Sequence, residues 1–131
     1  GTFQKYKLRT EATSPEGLDM VREEAVEEIL EAFDRKAAFV GTTGFLSREL
    51  YELRVKRGDG HQQDFLCVGN MGHTLSLAMG IAGAQPDRPV VCLDGDGACL
   101  MHMGSMAVAG LAGRRPGRLV HVVVNNGAHD S

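Results

Sequence analysis

Two short motifs at a set distance constrain this chain more than any other feature. They are Leu93-Asp94-Gly95-Asp96-Gly97-Ala98 and, some thirty residues past Asp96, Asn125-Asn126. Each follows a hydrophobic run: Pro89-Val90-Val91-Cys92-Leu93 leads into the first, Leu119-Val120-His121-Val122-Val123-Val124 into the second. Short β-branched runs between turn residues predict buried strands. Gly-Asp-Gly and Asn-Asn then fall at the carboxyl ends of two strands of an open α/β sheet, where such sheets bind ligands. A carboxylate and an amide oxygen at that rim suit a hard cation such as Mg²⁺, which takes oxygen ligands and often bridges to phosphate. The glycines allow backbone N–H groups to approach a diphosphate closely. The plainer reading is two ordinary turns whose Asp and Asn cap helices. Both motifs at this distance, each behind a buried strand, weigh against it.

The remaining pattern repeats strand, glycine-rich turn and helix. Residues 1–16 carry no clean period and read as a linker or interdomain arm, in which Ser14-Pro15 offers an N-cap and a proline at the first helical position. Residues 17–131 read as one domain. Over 18–33 the apolar positions Leu18, Val21, Val26, Ile29, Leu30 and Phe33 mark an amphipathic helix. Ala37-Ala38-Phe39-Val40 predicts a strand running into Gly41-Thr42-Thr43-Gly44, with Ser47 as cap of a helix over 48–53. Phe65-Leu66-Cys67-Val68 predicts the next strand, ending in Gly69-Asn70-Met71-Gly72-His73 and followed by a helix over 74–84. A further helix is expected over 99–112, and the last strand is expected to end at Asn125. Strands alternating with helices imply an open parallel sheet with right-handed crossovers and helices on both faces.

Composition excludes several functions. Fourteen Lys and Arg against 17 Asp and Glu leave a net charge of −3, so no nucleic-acid partner is signalled. Arg54-Val55-Lys56-Arg57 and Arg114-Arg115-Pro116-Gly117-Arg118 read as solvated turns and helix ends. Cys67, Cys92 and Cys99 are too few and scattered for a disulfide framework and read as reduced thiols of a cytoplasmic protein. No Cys-x-x-Cys or His-x₃-His pair speaks for zinc. Neither a leading apolar segment nor a bilayer-length apolar run is present, so membrane insertion is not expected.

Gly-Asp-Gly followed by Asn-Asn resembles the thiamine-diphosphate motif. With Gly41-Thr42-Thr43-Gly44, Ser47-Arg48-Glu49-Leu50, Gly69-Asn70-Met71-Gly72-His73 and Asn125-Asn126-Gly127-Ala128-His129-Asp130-Ser131, the chain from about residue 39 onward resembles the phosphonopyruvate decarboxylases of the thiamine-diphosphate-dependent family. The related sulfopyruvate decarboxylases share the framework but usually carry an aromatic where His129 stands. The resemblance implies the diphosphate-domain fold and decarboxylation of 3-phosphonopyruvate to phosphonoacetaldehyde and CO₂, using thiamine diphosphate and Mg²⁺. It implies Mg²⁺ ligands at Asp96, Asn126 and the Ala128 carbonyl. Gly95, Gly97 and Ala98 would face the diphosphate, with N–H groups from the last two and hydroxyls from Thr42 and Thr43. Gly69 would give a carbonyl to the cofactor's amino group, and Met71 would be the wedge that keeps the cofactor bent; taken alone, Met71 reads as core packing. Catalytic roles are carried onto Gly69, Met71 and His129, and His73, His129, Arg48 and Ser131 are candidates for the phosphonate. His61 and His121 receive no role, and His102 reads equally well as structural.

The family also needs a glutamate from a pyrimidine-binding domain, which this sequence does not show. Glu23, Glu24, Glu27, Glu28 and Glu31 read as a solvated helix face. The expectation is a diphosphate-binding part, cut short after its last motif, whose partner is a pyrimidine-binding domain or subunit in a homo-oligomeric enzyme acting on a small 3-substituted 2-oxo acid. Two rivals remain: a sulfopyruvate decarboxylase subunit, and a non-catalytic module that binds diphosphate and metal for assembly or regulation. A dinucleotide-binding domain is disfavoured because no Gly-x-Gly-x-x-Gly opens a helix after the first strand.

Overall fold

The computed structural model describes residues 20–112 and 118–126. In chain order these form α1 (Arg22–Ala32), β1 (Ala38–Gly41), α2 (Phe45–Lys56), β2 (Asp64–Leu66), α3 (Thr74–Ala84), β3 (Val90–Gly95), α4 (Asp96–Met101), α5 (Gly104–Ala112) and β4 (Leu119–Val124). The strands make one sheet in the order β2-β1-β3-β4, and every pairing is parallel. The expected open parallel α/β sheet with helices on both faces is what forms.

Side-chain alternation along the strands builds two cores, one per face. Phe39, Val91 and Leu93 point to one face, where they meet Val26 and Leu30 of α1 and Leu46, Leu50 and Leu53 of α2. Ala38, Val40, Val90 and Cys92 point to the other, against Leu75, Ala78 and Ala82 of α3, with Ala109 of α5 alongside. β1 and β3 are buried on both faces, which is why they read as unbroken apolar runs. Among the described residues no helix is long and apolar enough to cross a membrane.

Two polar contacts pin the α1–α2 layer. Arg22 grips Glu49 through two hydrogen bonds of 2.7 Å. At the amino edge of the sheet, buried Arg54 binds the fully buried carboxylate of Asp64 (3.0 Å), the first residue of β2, and also Asp59 (3.4 Å). Its guanidinium lies 5.0 Å from the Phe39 ring centroid. Burial pushes the Asp59 carboxyl up, but hydrogen bonds from Arg54 and Arg57 and the charges of Arg35 and Arg54 outweigh it. Its pKa therefore lies below the ordinary 3.8.

Three local expectations are corrected. α2 begins at Phe45 after Gly44, whose φ of 97° turns the chain, so Ser47 is not its cap. Ser47 instead donates its hydroxyl back to the Thr42 carbonyl at 2.5 Å. The helix expected over 99–112 starts at Asp96 and is broken at His102-Met103. The His102 carbonyl accepts from both the N–H (3.0 Å) and the hydroxyl (2.8 Å) of Ser105, and α5 restarts at Gly104. The last strand ends at Val124, one residue sooner than expected.

Candidate functional site

β1 passes the chain through α2 outward to β2, whereas β3 passes it through α4 and α5 to β4 on the other side. The two connections diverge and open a crevice between the carboxyl ends of β1 and β3, the switch point at which doubly wound sheets take ligands. Thr42 lies there, its N–H donating to the Leu93 carbonyl at 2.8 Å. Its side chain is buried, and its Oγ1 has no hydrogen-bond partner among the described residues. A buried hydroxyl without a partner is costly. A ligand oxygen entering the crevice would satisfy it.

The neighbouring turns are tied together. The Thr43 hydroxyl oxygen accepts from the Gly69 N–H at 3.2 Å, joining the end of β1 to the loop after β2. Gly69 and Gly72 hold φ values of 76° and 86°, left-handed conformations that favour glycine. A Cβ on Gly72 would lie 3.1 Å from the Met101 Cβ and 3.2 Å from the Ala98 carbonyl oxygen. The loop carrying Met71 thus rides directly on α4. Met71 itself is half-buried, and its carbonyl lies 3.2 Å from His73 Nδ1.

On the other side of the crevice, Gly95 closes β3 and Asp96 opens α4. β3 and β4 stay paired up to Gly95 and Val124, so Asp96 and Asn126 stand on one rim, just beyond the last paired residues. Asp96 Oδ1 accepts the Gly97 N–H at 2.8 Å. That donor is therefore engaged by the carboxylate in this structure. Ala98 is buried in α4. Arg48 is exposed on α2, its guanidinium 5.9 Å from the Phe45 ring centroid. Ala128, His129 and Ser131 lie outside the described residues.

Sequence reasoning missed two arrangements. The first is beneath the Gly-Asp-Gly turn. Asp94 is almost fully buried; one carboxylate oxygen accepts from the Gly95 N–H (3.1 Å) and the other lies 3.3 Å from His121 Nε2. Cys92 is opposite His121 in the register, and the ligating atoms of Cys92, Asp94 and His121 lie within 4.8 Å of one another. Burial, reinforced by the Asp94 charge, pushes the Cys92 thiol far up, so it is a neutral thiol at physiological pH. The Asp94–His121 contact therefore acts as a side-chain strut between the two strands that lead to Asp96 and Asn126. Period-two alternation across paired strands was the signal that could have found it. The second arrangement is His73 beside His102, with ring centroids 4.9 Å apart. Nothing in sequence spacing links them.

Residues 40–131 match the family described as thiamine pyrophosphate enzyme, C-terminal TPP binding domain. The chain belongs to this family. It is 43% identical over 124 residues to a phosphonopyruvate decarboxylase of Streptomyces hygroscopicus, covering 95% of this chain and 29% of the relative. It is 48% identical over 107 residues to that of Streptomyces viridochromogenes, covering 82% of this chain and 25% of the relative. The sulfopyruvate decarboxylase subunit beta of Methanothermobacter thermautotrophicus is 37% identical over 105 residues, which are 80% of this chain and 52% of that subunit. The chain thus spans between about a quarter and about half the length of these curated relatives. The unpartnered Thr42 hydroxyl and the carboxylate of Asp96 are groups of the kind that a metal-bound diphosphate requires.

Proposed function

We propose that this chain is the diphosphate-binding part, residues 17–131 with 1–16 as an arm, of a decarboxylase that converts 3-phosphonopyruvate to phosphonoacetaldehyde and CO₂ with thiamine diphosphate and Mg²⁺. One observation supports the reading: Thr42, Asp96 and Asn126 follow the carboxyl ends of three adjacent strands, β1, β3 and β4, in a chain 43–48% identical to phosphonopyruvate decarboxylases. Asp96, Asn126 and the Ala128 carbonyl would hold Mg²⁺ by hard oxygens. Thr42, Thr43 and the backbone at Gly95, Gly97 and Ala98 would hold the diphosphate. Gly69 and Met71 would set the cofactor's conformation. The cofactor supplies the electron sink for loss of CO₂; the protein binds, orients and excludes water.

Completion by a pyrimidine-binding domain or subunit is supported by the surface. Leu100 and Met101 of α4, Met103 in the break, and Met106, Val108 and Leu111 of α5 are all exposed. So many large apolar side chains left exposed on one segment suggest an interaction face. A domain seated there would also close the crevice, in a cytoplasmic homo-oligomer. His129, Ser131 and Arg48 remain candidates for the substrate's anionic group.

The deciding experiment uses the full-length protein with any partner subunit. Released aldehyde is followed by coupled reduction, with 3-phosphonopyruvate, sulfopyruvate or pyruvate as substrate, with and without Mg²⁺. Highest kcat/KM on phosphonopyruvate, dependent on Mg²⁺ and thiamine diphosphate, is expected. Preference for sulfopyruvate would favour the second reading, which the 37% identity to the beta subunit supports. Cofactor binding with no turnover of any 2-oxo acid would make the chain an assembly module instead.

A further inference from the structure

Two histidines that the chemistry above leaves unassigned as a pair come together where the β2–α3 loop rests on α4. His73 ends the loop after β2 and His102 follows α4; both are exposed, and their rings lie 4.9 Å apart at a 34° tilt. The pairing is built in by the backbone. Gly72 lets the loop settle on α4, and a Cβ there would meet Met101, Ala98 and His102 at 3.1–3.4 Å. His73 Nδ1 is taken by the Met71 carbonyl at 3.2 Å, and its Nε2 makes no hydrogen bond among the described residues. The His102 ring likewise makes none. Neither ring is needed by the core, and neither serves the hydrogen-bonding of a helix or strand.

We infer that His73 and His102 together form the recognition site for the tetrahedral oxyanion carried on C3 of the substrate. The inference rests on the decarboxylase reading above and deepens it. A phosphonate presents three acceptor oxygens and up to two negative charges, and is best held by several N–H donors from more than one element. Two imidazoles on separate elements supply such a pair: His102 through a ring N–H, and His73, whose Nδ1 proton is held by the Met71 carbonyl, through Nε2 once that nitrogen also carries a proton. Imidazole can also take a proton when an anion arrives, so that both of its nitrogens donate. Position fits the need. His102 lies six residues along from Asp96, about 9 Å of helical rise from the proposed metal end. His73 is hydrogen-bonded to the very residue proposed as the cofactor's wedge, so one loop would reference both the reacting carbon and the anion. A dianionic phosphonate gains more from two such donors than a monoanionic sulfonate, and an unsubstituted pyruvate gains nothing.

The test is steady-state kinetics of the full-length enzyme and its His102→Ala, His73→Ala and His102→Gln variants on phosphonopyruvate, sulfopyruvate and pyruvate. Thiamine diphosphate affinity is measured in parallel by fluorescence titration. Each alanine variant is expected to raise the KM for phosphonopyruvate at least about tenfold relative to that for pyruvate, the worth of one charge-assisted hydrogen bond. The effect on sulfopyruvate should be smaller, and His102→Gln, which keeps a donor, should recover part of the loss. Equal losses on all three substrates overturn the inference. So does a fall in cofactor affinity that accounts for the KM change, because the pair would then serve the diphosphate. If the wild-type enzyme decarboxylates neither substituted pyruvate, the parent reading fails and this one with it; a working wild type with indifferent variants sinks only the histidine pair.

Discussion

At Thr42 the folded chain carries an unpaired buried hydroxyl, and this gives a prediction with opposite signs for stability and binding. Thr42→Val replaces the orphaned Oγ1 with a methyl group of the same shape. The cofactor-free protein should be as stable as wild type or about 1 kcal/mol more stable in urea unfolding. Affinity for thiamine diphosphate should drop roughly five- to tenfold. A variant both less stable and unchanged in binding would show the hydroxyl to be a packing feature. Asp96→Ala acts differently, since it would remove a carboxylate from the proposed metal site, where a cation would neutralise the diphosphate's charge. Mg²⁺-dependent cofactor binding should weaken by more than about 100-fold in calorimetric titration, with folding kept, because even residues behind metal ligands cost 10–100-fold. The strand ends on which these candidates lie were legible in sequence, because β-branched runs lead into Gly-Asp-Gly and Asn-Asn, whereas the unpartnered Thr42 hydroxyl was visible only in the folded chain. Alternation alone did not pair Asp94 with His121: it puts each on a face of its strand, and they meet because β3 and β4 are neighbours in this register.

Among elements, α3 matched its expected bounds of 74–84, since Pro86 and His73-Thr74 punctuate a long run of small apolar residues. The break between α4 and α5 escaped the sequence, because Met101-His102-Met103 continues an apolar helical pattern and only the Ser105 contacts to the His102 carbonyl reveal the stop. That break gives the β2–α3 loop its seat. Gly72→Ala should therefore be destabilising by about 1–3 kcal/mol, from a left-handed backbone combined with close contact to α4. Denaturant titration measures it, and wild-type stability would mean the loop can lift off α4. At the opposite edge of the sheet, the lowered pKa of Asp59 ties α2 to pH. Its carboxylate stabilises the fold above the unfolded value near 3.8, and that contribution is lost as pH falls through its lower folded value. The urea midpoint of wild type should thus fall more steeply below about pH 4 than that of Asp59→Asn, which has no such proton to take up; parallel curves would remove Asp59 from the account.

Taken as a whole molecule, the chain presents a sheet whose two inner strands line the crevice while its apolar α4–α5 face stays open. If the proposed pyrimidine-binding domain supplies a glutamate from outside these 131 residues, they alone, saturated with thiamine diphosphate and Mg²⁺, should give no aldehyde in the coupled assay. Measurable turnover would mean that the site is already complete. The strand order has one more consequence, which concerns time. β1 and β3 are hydrogen-bonded on both flanks and buried on both faces, whereas among the described strands β2 and β4 form the borders. Their amides, Val40 and Cys92 among them, should therefore exchange with deuterium only through global opening, while those of β2 exchange by local fraying. The two strands that frame the crevice would then be the last parts of the molecule to open, so the Thr42 and Asp96 side of the candidate site would outlast the parts that hang from β2 and β4.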